Sequence, residues 1–337
     1  CIRDRCYVVM PARRGARAVS TTLWPMLPKS RILSALLVGL GIALVVAGLL
    51  APRFLLGDAR LPLDLAHTTW TLRDDDGTRE GEPAPVTRQL HMEVQDPSND
   101  DVASVRIGDT LRAGTAGSDF DNLVTASTWS MVLDRATGQV ALPAQVSSQM
   151  AMPATEVPVD GPWLKLPSDV QQQDYNVFDP QLRGSAPAQF AGEEEIGGRT
   201  VYTFTQHIEP TNLALRYADA LNASTVEVGE GEDADSVRTF RNYAADREIQ
   251  VDQVTGLVVG MREKVDIFYA DDNGEHPTNV ITYDAAMSPE DTEAMVAQLS
   301  RVVPQSVSQK VTWGTIALGA LVALFGLVGA FRPGRAR

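Results

Sequence analysis

The sequence predicts a mainly β exported domain, arranged as two β-rich lobes that a short internal repeat marks as a candidate duplication, with one amphipathic helix and two transmembrane α-helices. Three observations carry this. Uncharged apolar runs lie near both ends of the 337-residue chain, alternating apolar and polar residues recur between them, and the charge changes sign from the flanks to the middle.

Residues 1–31 hold seven Arg/Lys against one Asp and read as a basic cytoplasmic tail. Met26 resembles a natural start just before an anchor, which makes residues 1–25 either an over-called start or a short cytoplasmic tail. Cys1 and Cys6 both lie there, so the exported part has no disulfide and no thiol chemistry.

From Ile32 to Leu50, 19 consecutive residues carry no charge. As helix they span about 28 Å, close to the hydrocarbon thickness of a bilayer. A cleavable signal needs a shorter apolar stretch and a small-x-small cut site. The candidate cut after Ala51 has Leu49 at −3 and Pro52 next, so the helix over 32–51 is expected to stay as an anchor. A second uncharged run, Val311–Phe331, is bracketed by Lys310 and Arg332 and has Trp313 near one end, where an indole suits the headgroup level. Small residues four apart (Ala35/Gly39, Gly319/Ala323, Gly326/Ala330) would let the two helices approach closely.

The segment between the spans, residues 52–310, holds 19 basic and 42 acidic side chains, a net of −23, while the tail 332–337 has three Arg and no acid. Basic flanks remain in the cytoplasm, so both termini are expected inside the inner membrane and residues 52–310 outside it. So acidic a domain is a poor partner for nucleic acid or an anionic surface.

Lobe 1 is expected over 55–160 and lobe 2 over 161–287, divided near Asp160-Gly-Pro. Period-two alternation places Leu90, Met92 and Val94 on one face, and Tyr202, Phe204 and Ile208 on another. Further strands are expected at His67–Arg73, Val102–Leu111, Leu123–Leu133, Ser236–Tyr243, Glu248–Val254, Leu257–Tyr269 and Thr278–Asp284, with turns at DDDG (74–77) and DDNG (271–274) between them. Ser130–Leu142 can be laid over Glu248–Gly260. Each reads hydrophobic-Asp-x-x-Thr-Gly-x-Val, with Asp134 or Asp252 starting a turn and Gly138 or Gly256 at its positive-φ position. Ser288-Pro-Glu-Asp then starts the amphipathic helix of 288–304, with Met295, Leu299 and Val302 on one face and Pro304 as its stop.

Catalytic and ligand motifs are scarce. There is no GxSxG, HExxH, P-loop or GxGxxG after a strand, so no enzyme and no cofactor is expected. His67, His91, His207 and His276 stand singly, and neither Asp cluster continues into a calcium loop with a distal Glu, so no metal is expected.

The stretch from Gly161 onward carries Pro167, then Tyr-x-x-Phe-Asp at Tyr175, Phe178 and Asp179, then Gly-x-x-Val-Tyr-x-Phe at Gly198, Val201, Tyr202 and Phe204, joined by Ser127–Gly138. With one span at each end, residues 26–332 resemble the actinobacterial envelope proteins grouped as the porin PorA family, whose function is unassigned. This sequence departs from the pattern at Ser168, where Phe is usual, and at Val177–Phe178, where an aromatic pair is usual. The resemblance implies an exported module assisting envelope lipid or glycolipid trafficking, with membrane lipids or glycolipids and an envelope lipid exporter as partners. On that reading Trp129, Met131, Trp163, Tyr202, Phe204 and Phe268 line an acyl groove; ordinary core packing is the competing role for each. A ligand-free scaffold is the alternative. The small channel of the family name is the least expected, because two apolar helices enclose no aqueous path.

Overall fold

A computed structural model describes residues 29–55, 59–118, 120–148, 153–228, 235–275, 277–302 and 305–331. Cys1, Cys6, the basic residues before Lys29 and after Phe331, His276 and the Pro304 stop lie outside the described residues. The chain divides into two compact units, one holding the described residues up to 47 and from 315 on, the other residues 48–314.

In the first unit, helices α1 (Lys29–Leu55) and α3 (Gln305–Phe331) contain the two stretches long and apolar enough to cross a membrane, Ile32–Leu50 and Gln309–Phe331. Leu36, Leu40, Leu318, Leu324 and Phe325 stay exposed, as a lipid-facing surface requires. The helices meet backbone to backbone through glycine. A Cβ on Gly41 would fall 2.6 Å from the Gly319 carbonyl oxygen, and one on Gly326 would fall 2.9 Å from that of Ser34. Gly319, Ala323 and Gly326 therefore serve as expected, but Gly39 faces open space and Gly41 takes its place. Gly41 lies seven residues after the buried Ser34, a spacing that keeps both on one helix face.

The second unit is built on one antiparallel sheet. Its first half contains β1 (Thr69–Asp74), β2 (Thr78–Arg79), β3 (Glu82–Pro83), β4 (Val86–Gln95), β5 (Val102–Ala113), β6 (Leu123–Asp134), β7 (Ala144–Ser147) and β8 (Thr155–Val157). Its second half contains β9 (Tyr175–Asp179), β10 (Gly184–Ile196), β11 (Arg199–Asn212), β12 (Ala223–Val228), β13 (Asp235–Asp252), β14 (Val258–Ala270) and β15 (Thr278–Ala286). The hydrogen-bonded order is β8-β7-β6-β5-β4-β1-β15-β14-β13-β11-β10-β9. Each half is a meander, and the halves join where β1 meets β15 at Arg73 and Ala286.

Two separate lobes are not what forms. The sequence break near Asp160 does fall between β8 and β9, yet a single sheet runs through both halves and one hydrophobic cluster draws from both. Alternation explains why: β4, β5, β13, β14 and β15 each turn one apolar row inward, and those rows meet in the one shared cluster. The expected strands Ser236–Tyr243 and Glu248–Val254 are one continuous strand, β13.

Helix α2 (Pro289–Ala297) closes the unit as its cap predicts. The Ser288 side chain accepts a hydrogen bond from the Asp291 backbone N–H at 3.1 Å, and Pro289 occupies the first turn. The helix tightens into a 3₁₀ turn over Gln298–Arg301, and Met295, Val296, Leu299 and Val302 are buried. The acidic turns behave as turns. Asp74 Oδ1 accepts the Asp76 N–H, and Asp271 Oδ1 accepts those of Asn273 and Glu275.

Candidate functional site

The six residues expected to line an acyl groove separate into groups. Trp129 on β6 meets Trp163 edge to face at 5.6 Å, and Phe178 on β9 completes the trio at 5.7 Å from Trp129. Met131, two residues on, is buried in the same core. Phe204 and the half-buried Tyr202 form a second cluster with Phe190, at 5.8 and 5.4 Å. Phe268 is half-buried on β14. These are packing contacts, worth about 0.5–1.5 kcal/mol per aromatic pair beyond the area they bury. The space beside Trp163 and Phe178 is about 10 Å³, far below the roughly 300 Å³ of a small ligand pocket.

Beneath these rings lies a buried ionic network that sequence reasoning missed. Arg88 on β4 donates to both oxygens of Asp109 on β5, at 3.1 and 2.9 Å, and to Glu263 on β14. Arg247 on β13 donates to Glu263 at 3.0 Å, to Gln206 at 3.1 Å, and also to Asp179 and the Tyr243 hydroxyl. Tyr243 donates to Asp179 at 2.9 Å and Tyr283 to Glu263 at 2.8 Å. Burial pushes the Glu263 carboxyl up, but the two guanidinium groups outweigh it and hold its pKa at about 2. Each of these side chains interrupts an apolar row at period two: Arg88 between Val86 and Leu90, Asp109 between Ile107 and Leu111, Glu263 between Met261 and Val265. A charge in the apolar phase of an alternating strand was the available signal.

The interior opens in a cleft of about 540 Å³. One wall is the first part of β6, where Leu123, Val124 and Thr125 are half-buried, unlike the buried Trp129 and Met131 further along. The other is the segment Pro180–Arg183 with Tyr217, Leu221 and Asn222, and Arg241 of β13 forms part of the lining. Apolar rim and charged interior thus meet in one place. The guanidinium of Arg183 stacks over the Tyr217 ring at 3.8 Å, and the Tyr217 hydroxyl donates to the Gln181 carbonyl at 3.0 Å. Burial pushes the Tyr217 phenol up, while Arg183 and Arg241 pull it the other way. Of the six expected groove residues, Trp129 is the one in this lining.

A groove of about 710 Å³ on the outer sheet face is larger, but several of its charges are already paired: Arg262 binds both oxygens of Asp284 at 2.9 Å, and His207 bonds Asp246. It is a solvated face.

The repeated hairpins converge on a single segment. The turn at Asp134–Gly138 and that at Asp252–Gly256 both hold the stretch Leu164–Val170: Leu166 N–H donates to Gly256 O at 2.7 Å and Ser168 N–H to Ala136 O at 2.7 Å. Lys165, 1% exposed, sits between them and donates to Ala136 O at 3.0 Å. Burial lowers its ammonium pKa to about 7, against the pull of Asp134 and Asp252.

Comparison with known proteins finds relatives along most of the chain. A protein named Porin PorA from Corynebacterium amycolatum is 24% identical over 311 residues, covering 73% of this chain and 80% of that protein. Another of the same name, from Corynebacterium resistens, is 25% identical over 406 residues, covering 91% of this chain and 98% of that protein. The family model described as Porin PorA matches residues 33–328, from inside the first apolar helix to inside the last. A match that takes in both helices and the whole sheet means that the chain, a membrane-associated protein, belongs to the Porin PorA family.

Proposed function

We propose that the chain is an inner-membrane-anchored, extracytoplasmic binding module that holds an amphiphilic envelope lipid or glycolipid and assists its trafficking in an actinobacterium. The observation that carries the reading is the cleft of about 540 Å³, whose lining joins Leu123, Val124 and Leu221 to arginines and amides. Such a lining suits a molecule with an apolar and a polar part. The basic flanks and the −23 charge of residues 52–310 support cytoplasmic termini and an exported sheet. The six aromatic and Met side chains first considered serve as core in this reading, and the ligand sits beside them at the mouth. An envelope lipid exporter is the partner class that would deliver or receive such a ligand.

The relatives' name favours a channel as the second reading. Against it stand an interior filled by the Arg88–Glu263–Arg247 network and two helices packed backbone to backbone. One experiment separates them. The full chain, purified in a neutral detergent, is analysed by mass spectrometry for copurified amphiphile and tested in planar bilayers. The binding reading expects a bound amphiphile that Thr125→Trp, which fills the cleft, reduces at least fivefold, and no conductance. Lipid-free protein that gives discrete conductance steps overturns it.

A further inference from the structure

Among the described residues of the second unit, four arginines are buried: Arg88, Arg135, Arg241 and Arg247. Three are saturated with acceptors. Arg88 and Arg247 hold the carboxylates of the network, and Arg135 donates to the carbonyls of Leu61, Asn99 and Asp100 at 2.8–3.0 Å. Arg241 differs. It is 7% exposed, and among the described residues no hydrogen bond or ion pair reaches its guanidinium; its Nε is buried without a partner. Two residues earlier on the same inward row of β13, the fully buried Thr239 has an Oγ1 that also lacks a partner. A buried guanidinium nitrogen without an acceptor is costly, and an acceptor entering by the cleft would relieve that cost.

The surroundings narrow what that acceptor is. Arg241 lines the cleft. The acids of the lining are engaged elsewhere: Asp109 by the fork of Arg88, and Asp219 by Arg183 at 3.6 Å and by the Leu221 N–H. Arg183, fixed on the Tyr217 ring, brings a second guanidinium to the same lining. In a domain with 42 acids and 19 bases over residues 52–310, a lining with two arginines and two aspartates is locally balanced where the domain as a whole is acidic. Beyond about 8–10 Å salt screens the domain's general charge, so a ligand inside the cleft meets a local field in which both aspartates already have a guanidinium and Arg241 has no acid. Guanidinium forks match the oxygens of phosphate, sulfate and carboxylate.

We infer that the cleft contains an oxyanion-binding site, in which Arg241, with Arg183 beside it, takes a phosphate, sulfate or carboxylate group of the bound amphiphile while Leu123, Val124 and Leu221 receive its apolar part. This rests on the cleft reading above and adds the charge of the ligand.

The test uses the full chain in nanodiscs of neutral phosphatidylcholine, with octyl phosphate, octanol and inorganic phosphate titrated by calorimetry against empty nanodiscs. Octyl phosphate should bind at least tenfold tighter than octanol. Arg241→Gln should remove that preference, and Arg106→Gln, on the exposed face of β5, should keep it. Equal affinity for octyl phosphate and octanol in the unaltered protein overturns the oxyanion site and leaves the cleft reading standing, whether or not the Arg241 variant folds. A folded Arg241→Gln protein that keeps the preference overturns it as well. Absence of binding by all three probes overturns both readings. Inorganic phosphate binding as tightly as octyl phosphate supports the oxyanion site and assigns it to a free ion.

Discussion

The turns Asp134–Gly138 and Asp252–Gly256 share one hydrogen-bond pattern in opposite surroundings. In both, the Asp carboxylate accepts the N–H and hydroxyl of the Thr three residues on, at 2.7 and 3.0 Å in the first and 2.8 and 2.7 Å in the second. In both, the Gly N–H returns to the Asp carbonyl at 2.8 Å, and the Gly φ is +71° or +72°. The difference is burial. Asp134 is half-buried, and the Thr137 N–H, ahead of its other partners, lowers its pKa. Asp252 is fully buried and is held by Nε and Nη2 of Arg199 at 2.6 and 2.9 Å, while Arg199 Nη1 donates to the carbonyls of Leu299 and Val302 after α2. Identical local chemistry thus serves as a plain turn in one place and as the hub of a tertiary junction in the other.

The largest expected contrast is between the two aspartates. Asp252→Ala leaves the Arg199 charge half-buried and unpaired and should cost about 3–5 kcal/mol, whereas Asp134→Ala should cost about 1 kcal/mol. Denaturant unfolding of the full chain measures both, and equal losses would erase the distinction. The glycines should behave alike. A Cβ on Gly138 would lie 1.8 Å from the Lys165 carbonyl oxygen, and one on Gly256 would lie 2.1 Å from that of Leu166. Adding the penalty of about 1–2 kcal/mol for a left-handed L-residue, each Gly→Ala should lose more than about 2 kcal/mol, and a harmless change at either would show that the clamp does not hold the segment.

A pH-dependent contrast concerns Lys165, between the turns. Its pKa of about 7 lies below the ordinary lysine value of 10.5. The unfolded chain therefore binds the extra proton across that window, and the stability of the fold should rise with pH from about 7 to about 10. Above that, the buried Tyr243 and Tyr283, whose phenols burial pushes up, reverse the slope. Lys165→Met should flatten the rise in thermal midpoints between pH 7 and 10, and an unchanged slope would show that Lys165 does not titrate there.

Legibility followed the physics of each element. The apolar helices, the Ser288 cap, the two turns and strands such as Val86–Gln95 are written in local composition and could be read directly. Strand β10 could not, because Pro187 and the run Glu193–Glu195 argue against a strand, and it forms by pairing with β9 and β11. Short β7, β8, β9 and β12 likewise depend on their neighbours. The ionic network joins residues up to 175 positions apart, as from Arg88 to Glu263, a distance no spacing rule covers. Arg241 was equally hidden, since only the fold shows which arginine lacks a partner.

The buried network also proofreads strand alignment. Sliding β13 by one residue would turn Arg247 outward and carry Asp246 or Glu248 into the space beside Asp179 and Glu263, three like charges with only Arg88, already shared with Asp109, left to offset them. An apolar interior would forgive such an error at modest cost, whereas this one rejects it outright. In a sheet of 15 strands, those that carry the network are thereby held to one register.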